Sequence, residues 1–590
     1  MKQFIHKARK PDETVSKIRS LLSELGIFPV EKWYNFSDNS FSVRISDINN
    51  EDVGSNGKGI TRSYALASAY GEFMERLQNR MLIRHEYGLY NDRRNEYPDF
   101  KIRAFGDVYD EFSSLPLLKD FSREDAKRPE LCKSKCFPYY NFTKKRVAYL
   151  PGSLLSSYCG TNGMCAGNTP EEAILQGVCE IFERHSAMQL FTGREGVPQI
   201  PVSEIKSPLL RATIMEIQKK GYRVIIKDCT LGGKFPVIAT LLFNRNNTRY
   251  KISFASDPVF DVALSRSITE ISQGSSPDVF ERTMQPAPWL NSAFEFNELP
   301  EAKRLLSMRQ FFCNGQAPYQ SFFLHDSGPA KHQKAFRDEV KDYRKTLLWA
   351  ISLIHKAGLE LYVRDVSYLG LPAYRIYVPG MSEVFALTRE EALIPLSSPK
   401  KTLLNFKGAS EDELRILAEN IEARLNIPSK GTQAFFNQLS RLDLNRRSDL
   451  AAFSPRSFLA LIYLRLKDYK KAFRYLQEDS ANMSPDDIGA YKSAMLAILK
   501  FKNDGYSEED IEATLKPIFG EKIAAHMLEY LRSPVKIFDN YNLPACGNCE
   551  NCGVKRDCRV NYWENIETKI WKKMLKYPID QEKSLARLAP

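Results

Sequence analysis

Between Thr169 and Arg184 apolar and charged residues recur at helical pitch. Ala173, Ile174, Val178, Ile181 and Phe182 make one apolar face. Glu172, Gln176, Glu180 and Glu183 fall in a stripe roughly 80° wide, with Arg184 on its rim. Asn168-Thr169-Pro170 supplies the cap and a proline for the first turn. The same grammar occurs earlier, where Ser55-Asn56-Gly57-Lys58-Gly59 reads as a loop opening a helix that reaches Glu72-Phe-Met-Glu75-Arg76. Ser68, Glu72, Glu75 and Arg76 share one face of it. Two Asn-Gly loops, each followed by a helix carrying Glu-x-x-Glu-Arg, suggest an internal duplication. A third helix, Val262 to Gln273, sets Arg266, Glu270 and Gln273 on one stripe.

The remaining pattern predicts an α/β fold. Residues 12 to 25 read as an amphipathic helix ended by Gly26, and Phe41 to Ile48 alternates like a strand. A second echo pairs 208–243 with 338–378: each holds a helix, a glycine stop, a strand, a turn and a second strand. Gly232-Gly233-Lys234 reads as a hairpin turn, and Asp228 and Asp365 as structural residues at strand ends. Residues 87 to 150 read as polar and irregular. After about residue 395 a linker around Ser397-Ser398-Pro399-Lys400 leads into helical sequence with starts at Ser454-Pro455, Ser484-Pro485 and Ser507. Leu459 to Ala472 resembles a tetratricopeptide (TPR) helix pair. The expected domains are 1–395, 396–535 (helical, TPR-like) and 536–590 (cysteine-rich).

Length and charge narrow the class. At 590 residues the chain exceeds one hydrophobic core, and its net charge of +12 permits an acidic or RNA-rich partner without demanding one. No apolar run suits a bilayer and the start lacks a signal-peptide core, so a cytoplasmic protein is expected. Seven of the eleven cysteines are scattered, which argues against a disulfide framework. Cys546, Cys549, Cys552 and Cys558 lie within thirteen residues, a spacing suited to zinc or an iron–sulfur cluster. Cys132 and Cys136 form a weaker metal-ligand pair. Gly57-Lys58-Gly59 fails the Walker A spacing, because Asp52 occupies the place of the first glycine.

Four converging carboxylates would repel one another unless a hard cation sat between them, and such oxygen-rich sites suit magnesium carrying nucleotide phosphates. The segment SAYGEFMER resembles the Ser-x-x-x-Glu-x-x-Glu-Arg signature of the YcaO family. Asn162 to Arg184 and Ala263 to Gln273 resemble its second and third blocks, and Val378-Pro-Gly-Met381 adds a further match. The resemblance implies a YcaO-type domain that uses ATP and magnesium to activate a peptide amide oxygen. By that pattern Glu72, Glu75, Glu180 and Glu183 would hold magnesium. Asn168, Glu172, Arg184 and Gln273 would contact ATP, with Ser68, Arg76, Arg266, Lys7 and Thr14 as further candidates. Many relatives have serine where this chain has Cys165, and a thiol is the weaker donor to phosphate. The helical extension and the lack of a Pro-x-Pro-x-Pro ending favour the ribosome-associated type, which assists β-methylthiolation of a small-subunit ribosomal protein aspartate. Expected partners are then a ribosomal protein or peptide substrate and a radical methylthiotransferase, with no membrane; a homodimer is left open. The alternatives are an azoline- or thioamide-forming cyclodehydratase and a non-catalytic scaffold.

Overall fold

The computed structural model describes residues 7–82, 97–127, 134–193, 196–271, 273–274, 280–290, 304, 307–308, 321–385, 402–403, 405–422, 425, 453–481, 483, 488–543, 550, 552, 555 and 560–590. Packing divides the chain into two units. One comprises Met1–Ile83, Asp92–Ala392 and Glu564–Pro590, the other Arg84–Asn91 and Leu393–Trp563.

The first unit begins with α1 (Pro11–Leu25), β1 (Pro29–Ser37), β2 (Ser40–Asp47), β3 (Asn50–Gly59) and α2 (Arg62–Gln78). It continues through β4 (Lys101–Arg103), α3 (Phe105–Phe112), β5 (Ser134–Asn141), β6 (Arg146–Pro151), α4 (Gly152–Cys159), β7 (Met164–Ala166) and α5 (Pro170–Thr192). Next come α6 (Pro208–Lys219), β8 (Arg223–Asp228), β9 (Val237–Phe243), β10 (Arg249–Ser256), α7 (Phe260–Ile271) and β11 (Gln285–Pro286). The last are α8 (Tyr343–Lys356), β12 (Tyr362–Asp365) and β13 (Ala373–Tyr377). These strands form three sheets, ordered β1-β2-β3, β11-β10-β9-β8 and β4-β5-β12-β13-β7, with β6 also paired to β5. The α5 residues Ile174, Val178, Ile181 and Phe182 enter a core shared with Leu347, Ile351 and Ile354 of α8 and with Val363 and Ile376 of the third sheet.

The strand-pair echo is present in the structure. Helices α6 and α8 both stop before a glycine with positive φ, Gly221 at 93° and Gly358 at 75°. Each then leads into an antiparallel pair, β8–β9 or β12–β13. Asp228 accepts hydrogen bonds from the Thr230 and Lys331 amides (3.0 and 2.6 Å), and Asp365 from the Ser367 amide (2.9 Å), so both fix turns.

Two expectations need correction. The described part of 87–150 is not irregular: it holds β4, α3, β5 and β6, and Cys136 is fully buried in β5 with its thiol 3.7 Å from the Ser134 carbonyl. Cys132 lies outside the described residues. Nor is the first Asn-Gly a loop. Asn56 and Gly57 sit inside β3, opposite Arg44 and Val43 of β2. A Cβ on Gly57 would lie 2.0 Å from the Ala65 carbonyl and 2.4 Å from the Ala69 amide, so glycine here lets the strand lie directly on α2. The second Asn-Gly is a turn. Gly163 has φ of 82°, and a Cβ there would meet the Ile376 carbonyl at 2.2 Å.

Residues 564–590, which the sequence groups with the cysteine run, belong to the first unit. Gln581 exchanges two hydrogen bonds with the Asp365 backbone (2.7 and 3.0 Å), and Arg344 donates to the Ala589 carbonyl at 2.8 Å. Arg80, just past the end of α2, forms a buried ion pair with Glu567.

The second unit is helical: Glu411–Glu422, Pro455–Arg465, Tyr469–Ser480, Ala490–Asn503, Glu508–Phe519 and Glu521–Arg532. Ser454 and Ser507 cap their helices as expected, accepting from the Ser457 and Asp510 amides at 3.0 and 3.1 Å. The linker at 397–400 and the start at Ser484-Pro485 lie outside the described residues. Among the described residues no helix is long and apolar enough to cross a membrane.

Candidate active site

Helix α2 starts at Thr61, whose hydroxyl accepts from the Tyr64 amide at 3.3 Å. Its buried face is Ala65, Ala69, Phe73, Met74 and Leu77. The opposite face presents Ser68, Glu72, Glu75 and Arg76 to a cavity of about 450 Å³. Helix α5 does the same. Thr169 accepts from the Glu172 amide at 3.2 Å, Pro170 opens the first turn, and the polar stripe carries Glu172, Gln176, Glu180, Glu183 and Arg184 into that cavity. Helix α7 adds Arg266 and Glu270, and Gln273 follows just beyond its end. Lys7, Thr14 and Asn168 also line it. Every nucleotide- and magnesium-site candidate read from the sequence therefore reaches one pocket, Arg76 included.

Glu172 is already engaged. Its carboxylate accepts from the amides of Ala8 and Asn168, both at 3.3 Å, and pairs with Lys7 at 3.5 Å. Thr14 donates to the Asn168 side chain at 2.9 Å. This cluster ties the segment before α1 to the start of α5. Arg266 donates to Gln176 at 2.7 Å and so links α7 to α5.

Charge crowding dominates the middle of the pocket. Arg76 lies 3.2 Å from Glu75 and 3.5 Å from Glu72. Burial pushes the Glu75 carboxyl well above the usual range; Arg76 opposes the rise, and Glu180 and Glu72 reinforce it. Burial raises Glu180 too, with Arg184 and Arg76 opposing and Glu183 and Glu72 reinforcing. Among the described residues no three His, Cys, Asp or Glu side chains gather closely enough to hold an ion as they stand. Glu72 and Glu75 are drawn to Arg76 rather than to each other.

The sequence reading missed Lys58, Arg9, Tyr64 and Asp257 as lining residues. Period-two reasoning could have found Lys58. Gly57 faces α2, so Asn56 and Lys58 fall on the other side of β3, where Lys58 pairs with Glu270 of α7. Burial is the chief cause that lowers Lys58 to about 8, with Arg266 next; Glu183 and Glu72 oppose the fall. Cys165 needs a different account. Its thiol is buried, 3.7 Å from the Tyr374 carbonyl, and points into the core rather than lining the cavity. Of the cysteine run, Cys552 is half-buried, while Cys546, Cys549 and Cys558 lie outside the described residues.

The donor set fits a metal nucleotide. Glu72, Glu75, Glu180 and Glu183 are hard oxygen donors suited to magnesium, and Lys58, Arg184 and Arg266 beside them suit phosphate oxygens. A bare polyanion would meet the glutamates and a bare cation the arginines, so a ligand of both signs suits the lining.

Residues 56–382 match the family model described as YcaO cyclodehydratase, ATP- and Mg2+-binding. An uncharacterised Haemophilus influenzae protein is 29% identical over 63% of this chain and 65% of its own length. The Escherichia coli ribosomal protein S12 methylthiotransferase accessory factor YcaO is 26% identical over 83% of this chain and 85% of its own. Among solved structures, a heterocyclase in complex with substrate and cofactor superposes with a TM-score of 0.45 at 19% identity, over 64% of this chain and 53% of that one. YcaO from Methanopyrus kandleri, bound with AMPPCP and Mg2+, gives 0.42 at 18% identity, over 65% and 95%. The family model spans more than half of the chain, and on that match the chain belongs to the YcaO family.

Proposed function

We propose that this protein binds magnesium ATP in the pocket of α2, α5 and α7 and uses it to activate a backbone amide oxygen of a peptide. The observation that carries this reading is the convergence of Glu72, Glu75, Glu180 and Glu183 with Lys58, Arg184 and Arg266 around one cavity. When bound, magnesium ATP supplies the phosphoryl group: a lone pair of the amide oxygen forms the new O–P bond while the γ-phosphorus bond to ADP breaks and its electron pair leaves on ADP. The four glutamates would hold the cation, closing on it from the wider spacing they have without it. Asn168, Glu172, Thr14 and Lys7 would contact the nucleotide, and Ser68, Arg184, Arg266 and Gln273 would orient phosphate oxygens.

The substrate we favour is a small-subunit ribosomal protein, with assistance to β-methylthiolation of an aspartate as the outcome. The support is the 26% identity to the Escherichia coli accessory factor over 83% of this chain, more than the first unit alone can supply. In this reading the TPR-like hairpin of Pro455–Arg465 and Tyr469–Ser480 docks a radical methylthiotransferase in the cytoplasm. The second reading, an azoline- or thioamide-forming cyclodehydratase, draws on the family description. We also propose that Cys546, Cys549, Cys552 and Cys558 hold one zinc ion or iron–sulfur cluster; metal analysis of protein purified without oxygen, against Cys549→Ser, tests that. For the main reading the test is calorimetric titration of ATP with magnesium and with EDTA. Binding that requires the cation is expected, and equal affinity in EDTA would remove the four-glutamate site.

A further inference from the structure

Lys58 is counted above among the cations that suit phosphate, without a statement of which phosphate it would meet. Its place is set by packing: Gly57 and Gly59 on either side have no room for a Cβ against α2, with atoms of Ala65 at 2.0 and 2.7 Å. The register Ser42 to Lys58 is therefore fixed, and the lysine is delivered to the face of β3 opposite α2. There it is electrostatically coupled to Glu183 and Glu72, two of the four glutamates, and to Arg266 and Arg184. Arg76 is occupied by Glu75 and Glu72, and Arg266 by Gln176. The partner of Lys58 is Glu270, whose side chain is 41% exposed against 21% for the lysine, so water can take over the carboxylate when the lysine leaves it. A lysine held this way can leave its carboxylate for a stronger anion. If the glutamates hold the nucleotide's metal, a cation coupled to them would lie near the end of the phosphate chain, where the negative charge is greatest.

On the reading that this pocket takes magnesium ATP, we infer that Lys58 contacts the terminal phosphate and that Glu270 is its partner in the nucleotide-free protein. The pocket then distinguishes ATP from ADP through Lys58. The full-length protein is titrated with the magnesium complexes of ADP and of a non-hydrolysable ATP analogue. Wild type should prefer the analogue. Lys58→Gln should weaken the analogue by about 10²-fold, the scale of one lost charged donor, and change ADP by less than about threefold. Glu270→Gln, which frees the lysine, should tighten the analogue. Two losses of similar size would mean that the pair is only structural, and would overturn the inference. A readout without substitution uses an amine-reactive ester and peptide mass spectrometry. Lys58 should be labelled in the nucleotide-free protein and protected by the analogue more than by ADP; equal protection overturns the inference. If wild type binds neither nucleotide, the magnesium ATP reading itself has failed. Binding of both with no role for Lys58 leaves that reading intact and removes this one.

Discussion

Gly57→Ala separates two explanations of the Gly-Lys-Gly segment. If the glycines approach a phosphate, alanine should weaken nucleotide binding and leave folding alone. If they let β3 lie on α2, alanine should destabilise the protein itself. The added Cβ would meet the Ala65 carbonyl at 2.0 Å, the Ala69 amide at 2.4 Å and the Ala69 Cβ at 2.7 Å. Two of these are backbone atoms of a helix, which cannot swing aside as a side-chain end could. Overpacking costs about 1–3 kcal/mol, and a backbone clash on this scale belongs at the upper end. At about 1 °C per kcal/mol for a unit of this size, the transition of the first unit should fall by roughly 3–4 °C. The hydrogen bond from Ser55 to the Ala69 carbonyl (2.7 Å) should weaken with it, and amide exchange in α2 should quicken. Gly71→Ala is the internal contrast, because a Cβ there meets nothing within 4 Å and the residue is inside α2. It should raise the transition slightly, since alanine is about 0.5–1 kcal/mol better in a helix. Scanning calorimetry of the three proteins decides the matter. A Gly57→Ala protein that melts with wild type would refute the packing argument.

Other perturbations follow from the same geometry. Glu75→Gln should cut magnesium-dependent ATP turnover by at least ~10²-fold and, by removing a buried charge, raise the melting temperature measured in EDTA. Acidification should weaken magnesium binding, because Glu75 and Glu180 hold protons more tightly than ordinary carboxylates and the metal must displace them; titration in buffers of different ionisation enthalpy should show proton release. The same raised values make the metal-free protein most stable below the ordinary carboxylate range and less stable as pH rises through the folded values, and magnesium should cancel that loss in melting curves. Arg80→Met leaves Glu567 buried without its partner and should cost about 3–5 kcal/mol, whereas Arg80→Met with Glu567→Met should recover most of the loss in denaturant titrations.

Helices α2, α5 and α7 were legible because each has two unlike faces. One packs in the core and must be apolar, the other lines a wet pocket and must be polar, so a 3.6-residue period separates Phe73 from Glu72 and Phe182 from Glu183. The cap at Thr169 and the stop at Gly26 are local chemistry, readable without the fold. Asn56-Gly57 was misread because its meaning is tertiary. An Asn-Gly pair is usually a turn, and only the backbone of α2 explains a glycine within a strand. The strands of the 101–151 region were hidden by charges at exposed strand positions, Lys135 and Arg146, and in the turn between them, Lys144 and Lys145, which mask the buried Cys136, Tyr140 and Leu150. Cys165 was a matter of direction: the strand register that pairs it with Tyr374 turns its thiol into the core.

The repeated Glu-x-x-Glu-Arg spacing also explains part of the electrostatic stress in the pocket. Two similar helices that each carry Glu-x-x-Glu-Arg bring acids towards acids when their polar faces converge, and no local rule of sequence prevents it. The structure answers with arginines that follow the glutamates on the same faces: Arg76 beside Glu75 and Glu72, and Arg184 acting on Glu180. That compensation is incomplete: burial first, and the neighbouring acids after it, still raise Glu75 and Glu180 above ordinary carboxylates. A core would replace such groups with apolar residues at no loss of stability. Their retention at the centre of a cavity, beside cations that suit phosphate, is what a site looks like when part of its charge balance arrives with the ligand.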